Sequence, residues 1–165
     1  MSHTVEVLVQ RFTIVSSKPF DVILQRLEAQ VGRPDLNAFV RAIASSQSYR
    51  EVEQIVDEAI GPSGLMEFIR FNLGEIISKE RGADSPRILR LVVGNPLIMK
   101  QMGIHVHDVG SYAPVDILID ERPDGVHLSY DRMSSLLAPY GSEEALKVAR
   151  DLDAKIERLL EAAAA

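Results

Sequence analysis

The chain has 165 residues, of which 46% are hydrophobic, and this size and composition are typical of one domain, here residues 1–165, whose core is stable without a metal or a disulfide. It contains no cysteine, which excludes disulfides, thiolate catalysis, cysteine-ligated zinc and iron–sulfur clusters. With 24 acidic and 18 basic residues the net charge is −6, which argues against the attraction to phosphate backbones on which nucleic-acid binding relies.

The first part of the chain predicts a strand followed by three helices. Apolar residues alternate over residues 5–15 and change parity in the middle, which predicts a strand that carries a bulge. Pro19 and the apolar spacing after it predict the first helix. Residues 34–61 hold two further helices with one apolar face each, and Ser48 and Glu51 have capping-box spacing at the start of the second.

The middle of the chain predicts two strands, a short helix and a loop. Residues 65–73 form a dense apolar run that predicts a well-buried strand, and residues 88–93 predict another. Asn95 and Pro96 then suit the cap and the first residue of a short helix. Residues 103–114 are interpreted as a loop.

The last part predicts a β-hairpin and a long helix. Residues 115–119 and 126–130 alternate in polarity on either side of the turn sequence at 122–125. Ser142 caps a final helix, and the alanine tail at 162–165 is expected to fray. This order of elements favours an α+β fold, in which an antiparallel or mixed sheet has its helices packed mainly on one face.

Part of this pattern resembles a known family. Residues 87–130 contain Gly94-Asn95-Pro96 and then Gly110-Ser111-Tyr112-Ala113-Pro114 ahead of the hairpin, and residues 11–27 match an opening strand and helix. These segments resemble the bacterial and archaeal family known as domain of unknown function three-hundred-and-two. The resemblance implies a compact fold of a strand, a helix, further strands and a closing helix, and it does not point to any particular activity. Residues 34–61 look like a helical insertion beyond the common pattern.

The loop after the short helix holds a cluster of metal-type ligands. His105 and His107 would lie on one side of an extended backbone, with Asp108 beside them, and this set indicates a metal site. His105 with Met99 or Met102 would supply the axial ligands of a haem. The competing interpretation is two exposed histidines and methionines that fill the core.

His127 shares its strand parity with Ser129 and Asp131, so that a serine, a histidine and an aspartate lie on one strand face. Side chains at this spacing run parallel to one another, which is not the geometry of a catalytic triad. We therefore interpret them as a solvated strand face.

Two functional interpretations remain open. The first is a domain that binds a small ligand or a partner and forms a homodimer, because a sheet covered on one face leaves another face or an edge to be paired. Its predicted site is a pocket at one end of the sheet, surrounded by Asn95, Pro96, His105 and Tyr112, with the Tyr112 hydroxyl reaching the helix N-terminus or a bound polar group. The second is a metal- or haem-dependent enzyme or binding protein that uses the His105 to Tyr112 loop.

The sequence has neither a basic leader followed by a long apolar stretch nor a run of roughly 20 apolar residues. We therefore expect a cytoplasmic protein with no membrane and no nucleic-acid partner.

Overall fold

The structure, a computed structural model, describes residues 2–82 and 85–165. Its elements are, in chain order, β1 (Arg11–Ser16), α1 (Phe20–Glu28), α2 (Leu36–Ser45), α3 (Tyr49–Ala59), β2 (Met66–Asn72), α4 (Leu73–Arg81), β3 (Ile88–Gly94), α5 (Pro96–Gly103), β4 (Val115–Arg122), β5 (Gly125–Asp131), α6 (Met133–Leu137) and α7 (Glu143–Ala164). Two short 3-10 helices cover His107–Ser111 and Ala138–Tyr140. The first of them occupies part of the segment that was interpreted as a loop.

Within the described residues, five strands form one antiparallel sheet in the order β1-β5-β4-β3-β2. The predicted hairpin supplies β4 and β5, which pair from Ile117 opposite Tyr130 to Arg122 opposite Gly125. All four strand pairs are antiparallel and helices accompany the sheet, which confirms the α+β prediction.

The prediction that residues 65–73 form a well-buried strand was wrong. The strand in this segment, β2, lies at the edge of the sheet, where Ile69 is 45% and Phe71 40% exposed. An apolar run is typical of a strand buried on both faces, but it does not tell whether a second neighbouring strand is present.

One face of the sheet forms the main core. Ile14, Leu128, Ile119 and Leu89 lie opposite one another across four strands, and they pack against the apolar sides of α1, α5, α6 and α7. Each large apolar side chain buried in this way stabilises the fold by roughly 1.5–3 kcal/mol. This packing confirms the prediction that the helices lie mainly on one face of the sheet.

We call the opposite side of the sheet the open face. It consists of the outward-pointing residues Arg11, Thr13, Val15, Ile69, Phe71, Arg90, Val92, Asp116, Leu118, Asp120, His127, Ser129 and Asp131. None of these belongs to the buried apolar clusters found in the described part of the chain.

The expectation of a solvated strand face is wrong at two of its three residues, since His127 and Ser129 are each only 7% exposed. Their strand, β5, lies between β1 and β4, so that neighbouring side chains on both sides shield it from solvent. The His127 Nε2 atom lies 2.9 Å from Asp124, and the Ser129 hydroxyl lies 3.1 Å from that of Thr13. His127 and Ser129 thus each have a hydrogen-bond partner outside the set of three.

The segment 34–61 packs against β2 and α5. Phe39 from α2 and Val56 from α3 meet Met66 in a second, smaller apolar cluster. The segment leaves and rejoins the rest of the fold at one point, where a Cβ atom on Gly32 would lie 2.0 Å from the carbonyl oxygen of Ala59. Only glycine permits this close approach of two backbones.

Both ends of the chain differ from the sequence prediction. The opening strand begins at Arg11, where the pairing with β5 begins, and residues 2–10 are not part of it. The alanine tail does not fray, because α7 runs to Ala164 and the Ser16 hydroxyl donates a 2.6 Å hydrogen bond to the Ala164 carbonyl. A second tie joins the Arg26 guanidinium to the Ala163 carbonyl at 3.1 Å.

Among the residues that the structure describes, no helix is both long enough and apolar enough to cross a membrane.

Candidate functional site

The predicted site begins at Asn95, directly after β3. The Asn95 Oδ1 atom accepts hydrogen bonds from the amides of Leu97 at 2.8 Å and Ile98 at 3.4 Å, as an N-cap does. Its Nδ2 atom donates to the Gly64 carbonyl at 2.9 Å. Both polar atoms of the Asn95 side chain are therefore occupied by the fold itself.

The start of β4 lies beside the end of β3. A Cβ atom on Gly94 would be 3.2 Å from the Cβ atom of Pro114, so the two backbones are in close contact here. The Ala113-Pro114 peptide bond is cis. Asn95 and the segment that precedes β4 thus lie at the same end of the sheet.

Two separate hollows flank residues 113–115, one of about 170 Å³ and one of about 470 Å³.

The smaller hollow, which we call the end cavity, has a volume of about 170 Å³. It is lined by Phe68, Gly94, Asn95, Pro96, Ile98, Met99, Met102, Ala113, Pro114, Val115 and Leu152. All of these residues except Asn95 are apolar or glycine, and the Asn95 amide is already hydrogen-bonded. The end cavity therefore offers dispersion contacts and suits an apolar group.

The larger hollow, which we call the face groove, lies on the open face and has a volume of about 470 Å³. Two ion pairs line it, Arg11 with Asp131 at 2.6 Å and Arg90 with Asp116 at 2.7 Å. The hydrogen bonds and the charge of Asp116 raise the pKa of Arg90. Its chemistry is thus polar, in contrast to that of the end cavity.

Tyr112 lines the face groove. Its hydroxyl lies 2.9 Å from the hydroxyl of Tyr140, whereas the sequence predicted a contact with the helix N-terminus or with a bound group. The hydrogen bond to Tyr112, together with partial desolvation, raises the pKa of Tyr140 to about 12. The Tyr112 hydroxyl is therefore held by another part of the chain.

The predicted metal ligands lie away from both hollows. His107 and Asp108 begin the first 3-10 helix, and none of the described residues that line the hollows is a histidine. The pKa of Glu144 is lowered by its own backbone amide, by Ser142 and by the charge of His105, which places His105 near the start of α7. Over residues 2–82 and 85–165, no three His, Asp or Glu side chains come together in a way that could hold a metal ion.

The two methionines considered as haem ligands both line the end cavity. Met102 is fully buried and Met99 is 38% exposed. A cavity of about 150 Å³ holds a molecule the size of benzene, so the end cavity is too small for a porphyrin. The methionines act here as cavity walls.

Sequence reasoning missed a buried polar cluster next to the sheet. The Tyr130 hydroxyl donates to Asp153 Oδ1 at 2.7 Å, and the backbone amides of Met133 and Ser134 donate to the same carboxylate at 2.7 and 3.2 Å. Burial, and then the charge of Asp153, raise the pKa of Tyr130. The available signal was that Asp153 lies three residues before the core residue Ile156, on the apolar side of α7.

Comparison with known proteins supports the same fold. The family model described as domain of unknown function DUF302 matches residues 41–163, a range that begins inside α2 and so includes part of the segment interpreted as an insertion. A crystal structure of the uncharacterized conserved protein DUF302 from Bacillus stearothermophilus is similar with a TM-score of 0.64 at 14% identity, over 93% of this chain and 97% of that one. No curated protein matches the chain. Since the family model covers more than half of the sequence, the chain belongs to the DUF302 family.

Proposed function

We propose that the chain is a binding protein that holds a small apolar ligand, or the apolar part of a larger one, in the end cavity. The observation that carries the proposal is the combination of an apolar lining with an Asn95 side chain whose carbonyl oxygen accepts two hydrogen bonds and whose amide nitrogen donates one, all within the fold. Ligand sites are concave and mostly apolar, and polar groups that remain available in them fix the orientation of the ligand. Here the Asn95 carbonyl oxygen and one of its two N–H groups are engaged by the fold, which favours ligands that need few hydrogen bonds.

The volume of the end cavity limits the size of the bound group. Dry apolar cavities of about 150 Å³ bind benzene or xenon, and the end cavity measures about 170 Å³. Atoms that line such a cavity lack part of the dispersion contacts of a packed core. An apolar group of about one ring supplies these contacts.

The experiment is calorimetric titration of the protein with benzene, supported by xenon binding followed by NMR. We expect saturable binding at one site with a negative heat-capacity change, because apolar surface is buried. Ile98→Phe fills the cavity and should weaken binding by at least about tenfold, since the bound ring loses its dispersion contacts. Ile76→Phe is the matched control, because Ile76 is 74% exposed on α4.

Absence of saturable benzene binding to the wild-type protein would contradict the proposal. Equal affinities of the Ile98→Phe and Ile76→Phe variants would contradict it as well. Thermal unfolding of both variants shows whether they are folded at the temperature of the titration.

The proposed functional unit is a homodimer paired through the open face. Val15, Ile69 and Phe71 are exposed there to 47%, 45% and 40%. The same face carries the ion pairs Arg11–Asp131 and Arg90–Asp116. Each pair contains both signs of charge, so that a second copy related by a two-fold axis presents a complementary mixture to the first.

Sedimentation equilibrium at micromolar concentration tests the homodimer, and we expect twice the mass of one chain. Phe71→Lys should shift the equilibrium toward monomer, because it buries a charge in the proposed interface. Val40→Lys is the control, since Val40 is 55% exposed on α2, outside the open face. A monomeric wild-type protein, or equal association of the two variants, would exclude this pairing.

The alternative is a metal- or haem-dependent protein that uses the His105 to Tyr112 loop, and its support is the ligand pattern of the sequence. Elemental analysis and a visible spectrum of untagged protein test it. A transition metal present near one equivalent, and lost when His105 and His107 are both replaced by alanine, would favour this alternative. Metal-free protein whose thermal stability is unchanged by a chelator would exclude it.

A further inference from the structure

A third hollow, distinct from the end cavity and the face groove, lies between α1, α7 and the turn that follows α3. We call it the basic cleft. Its volume is about 750 Å³, which is within the range of about 300–1,000 Å³ that is usual for small-molecule sites. Arg26, Lys155 and Arg158 line it, and no acidic side chain does so among the described residues.

Two of the three cations are held in place by backbone carbonyls. Arg26 donates through Nη1 to the Ala163 carbonyl at 3.1 Å, and Lys155 donates through Nζ to the Ser63 carbonyl at 3.0 Å. Five N–H groups on an arginine and three on a lysine leave further donors on both residues. The cleft thus contains preorganised cationic donors, which lowers the entropy lost on binding.

Arg158 is exposed and has no ion pair within residues 2–82 and 85–165. The chain as a whole carries a net charge of −6, and the arginines of the open face have aspartate partners. Three cations that line one concave surface, with no acidic side chain among its described lining residues, create a positive potential that attracts an anion.

The remaining walls of the basic cleft include the apolar side chains of Ala29, Leu159 and Ala162. We infer that the basic cleft binds a small organic anion, a phosphate- or carboxylate-bearing molecule with a short apolar part. Arg158 and Lys155 bind the anionic group, and the alanine and leucine side chains contact the rest. This inference does not depend on the ligand proposed for the end cavity.

Calorimetric titrations with pyrophosphate, citrate and phenyl phosphate test the inference, at an ionic strength held constant with sodium chloride. We expect saturable binding of at least one of these probes at millimolar concentration or below. Arg158→Gln and Lys155→Gln should each weaken that binding by about tenfold or more, because each removes a charge-assisted hydrogen bond. Arg41→Gln is the control, because it makes the same change of charge at an exposed position of α2 that does not line the basic cleft. It should leave the affinity nearly unchanged.

Ala165 also lines the basic cleft, so the titrations are repeated on a protein with two glycines added after it, which moves a terminal carboxylate away from the cations. We expect the same or tighter binding in this extended protein. The inference is overturned if neither protein binds any of the three probes. It is also overturned if Arg158→Gln and Arg41→Gln bind the probe equally well.

Discussion

Replacing Tyr130 by phenylalanine removes the hydroxyl group that donates a hydrogen bond to the buried carboxylate of Asp153. Tyr130 is 1% and Asp153 6% exposed, and the hydroxyl donates a 2.7 Å hydrogen bond to the carboxylate. The same hydroxyl lies 3.1 Å from the Met133 amide, which donates to it. The substitution keeps the aromatic ring, so that it tests the polar contact separately from apolar packing.

The expected loss follows from the partners that remain. A hydrogen bond to a charged group contributes about 1.5–3 kcal/mol to stability, and Asp153 keeps the amides of Met133 and Ser134 as donors. The carboxylate is therefore not left bare. We expect the free energy of unfolding to fall by about 2 kcal/mol, which lowers Tm by about 4–8 °C in a domain of this size.

Urea unfolding followed by circular dichroism measures this loss as a lower midpoint at an unchanged slope. Tyr49→Phe is the matched control, because Tyr49 is 50% exposed and its substitution should change stability by less than about 0.5 kcal/mol. If Tyr130→Phe is no less stable than Tyr49→Phe, the Tyr130 hydroxyl does not stabilise the buried carboxylate. The reasoning from its geometry would then be refuted.

Three further predictions concern other parts of the fold. Asn95→Ala should lower stability by about 1 kcal/mol through the lost cap, and a larger loss of benzene-dependent stabilisation in thermal unfolding would show that Asn95 also supports binding. Gly61→Ala brings a Cβ atom within 2.5 Å of a backbone carbonyl and should cost about 3 kcal/mol or more in urea unfolding, whereas Gly110→Ala, with open space around it, is the control. Tyr112→Phe should lower the pKa of Tyr140 from about 12 toward its ordinary value, as measured by ultraviolet absorbance against pH. Because the pKa of Tyr140 is raised in the folded state, the contribution of the protonated Tyr140 hydroxyl to stability is complete below the ordinary tyrosine pKa and is lost as the pH rises through about 12. An unchanged Tyr140 titration in the Tyr112→Phe variant would contradict the hydrogen bond to Tyr112 as the cause of the raised pKa.

The features that the sequence predicted correctly are those fixed by neighbours in the chain. Ser48, Asn95 and Ser142 each accept a hydrogen bond from an amide two or three residues further on, so their caps can be recognised from spacing. The hairpin is equally local, since its turn sequence and its alternation of polarity lie within residues 115–130. Such contacts need no knowledge of the tertiary structure.

The features that the sequence did not predict depend on the order of strands in the sheet. A dense apolar run was interpreted as a buried strand, yet β2 is at the edge. An apparently polar strand face was interpreted as solvated, yet His127 is buried because β5 lies between two other strands. Neighbours of a strand come from distant parts of the chain, so the periodicity of one strand does not reveal them.

The hydrogen-bond partners at this end of the sheet were harder to predict than the arrangement of its strands. The sequence placed Asn95 and the start of β4 at one end of the sheet because a strand must return there, and the structure places Gly94 against Pro114. It also treated Asn95 and Tyr112 as polar groups available to a ligand. In the structure the Asn95 amide nitrogen donates to the Gly64 carbonyl, 31 residues away in the chain. The Tyr112 hydroxyl is hydrogen-bonded to that of Tyr140, 28 residues away.

These distant hydrogen bonds decide what the end cavity can bind. A polar group that already has its partners in the fold gains little from a ligand, and a ligand that brings its own polar group into an apolar cavity loses hydrogen bonds to water. Because the fold engages the Asn95 carbonyl oxygen and one of its N–H groups, we expect the affinity for the proposed ligand to come mainly from apolar contact with side chains such as Ile98 and Leu152. A polar analogue of benzene of similar size, such as phenol, should therefore bind more weakly than benzene in the same titration, and tighter binding of phenol would show that a hydrogen-bonding group in the end cavity is free.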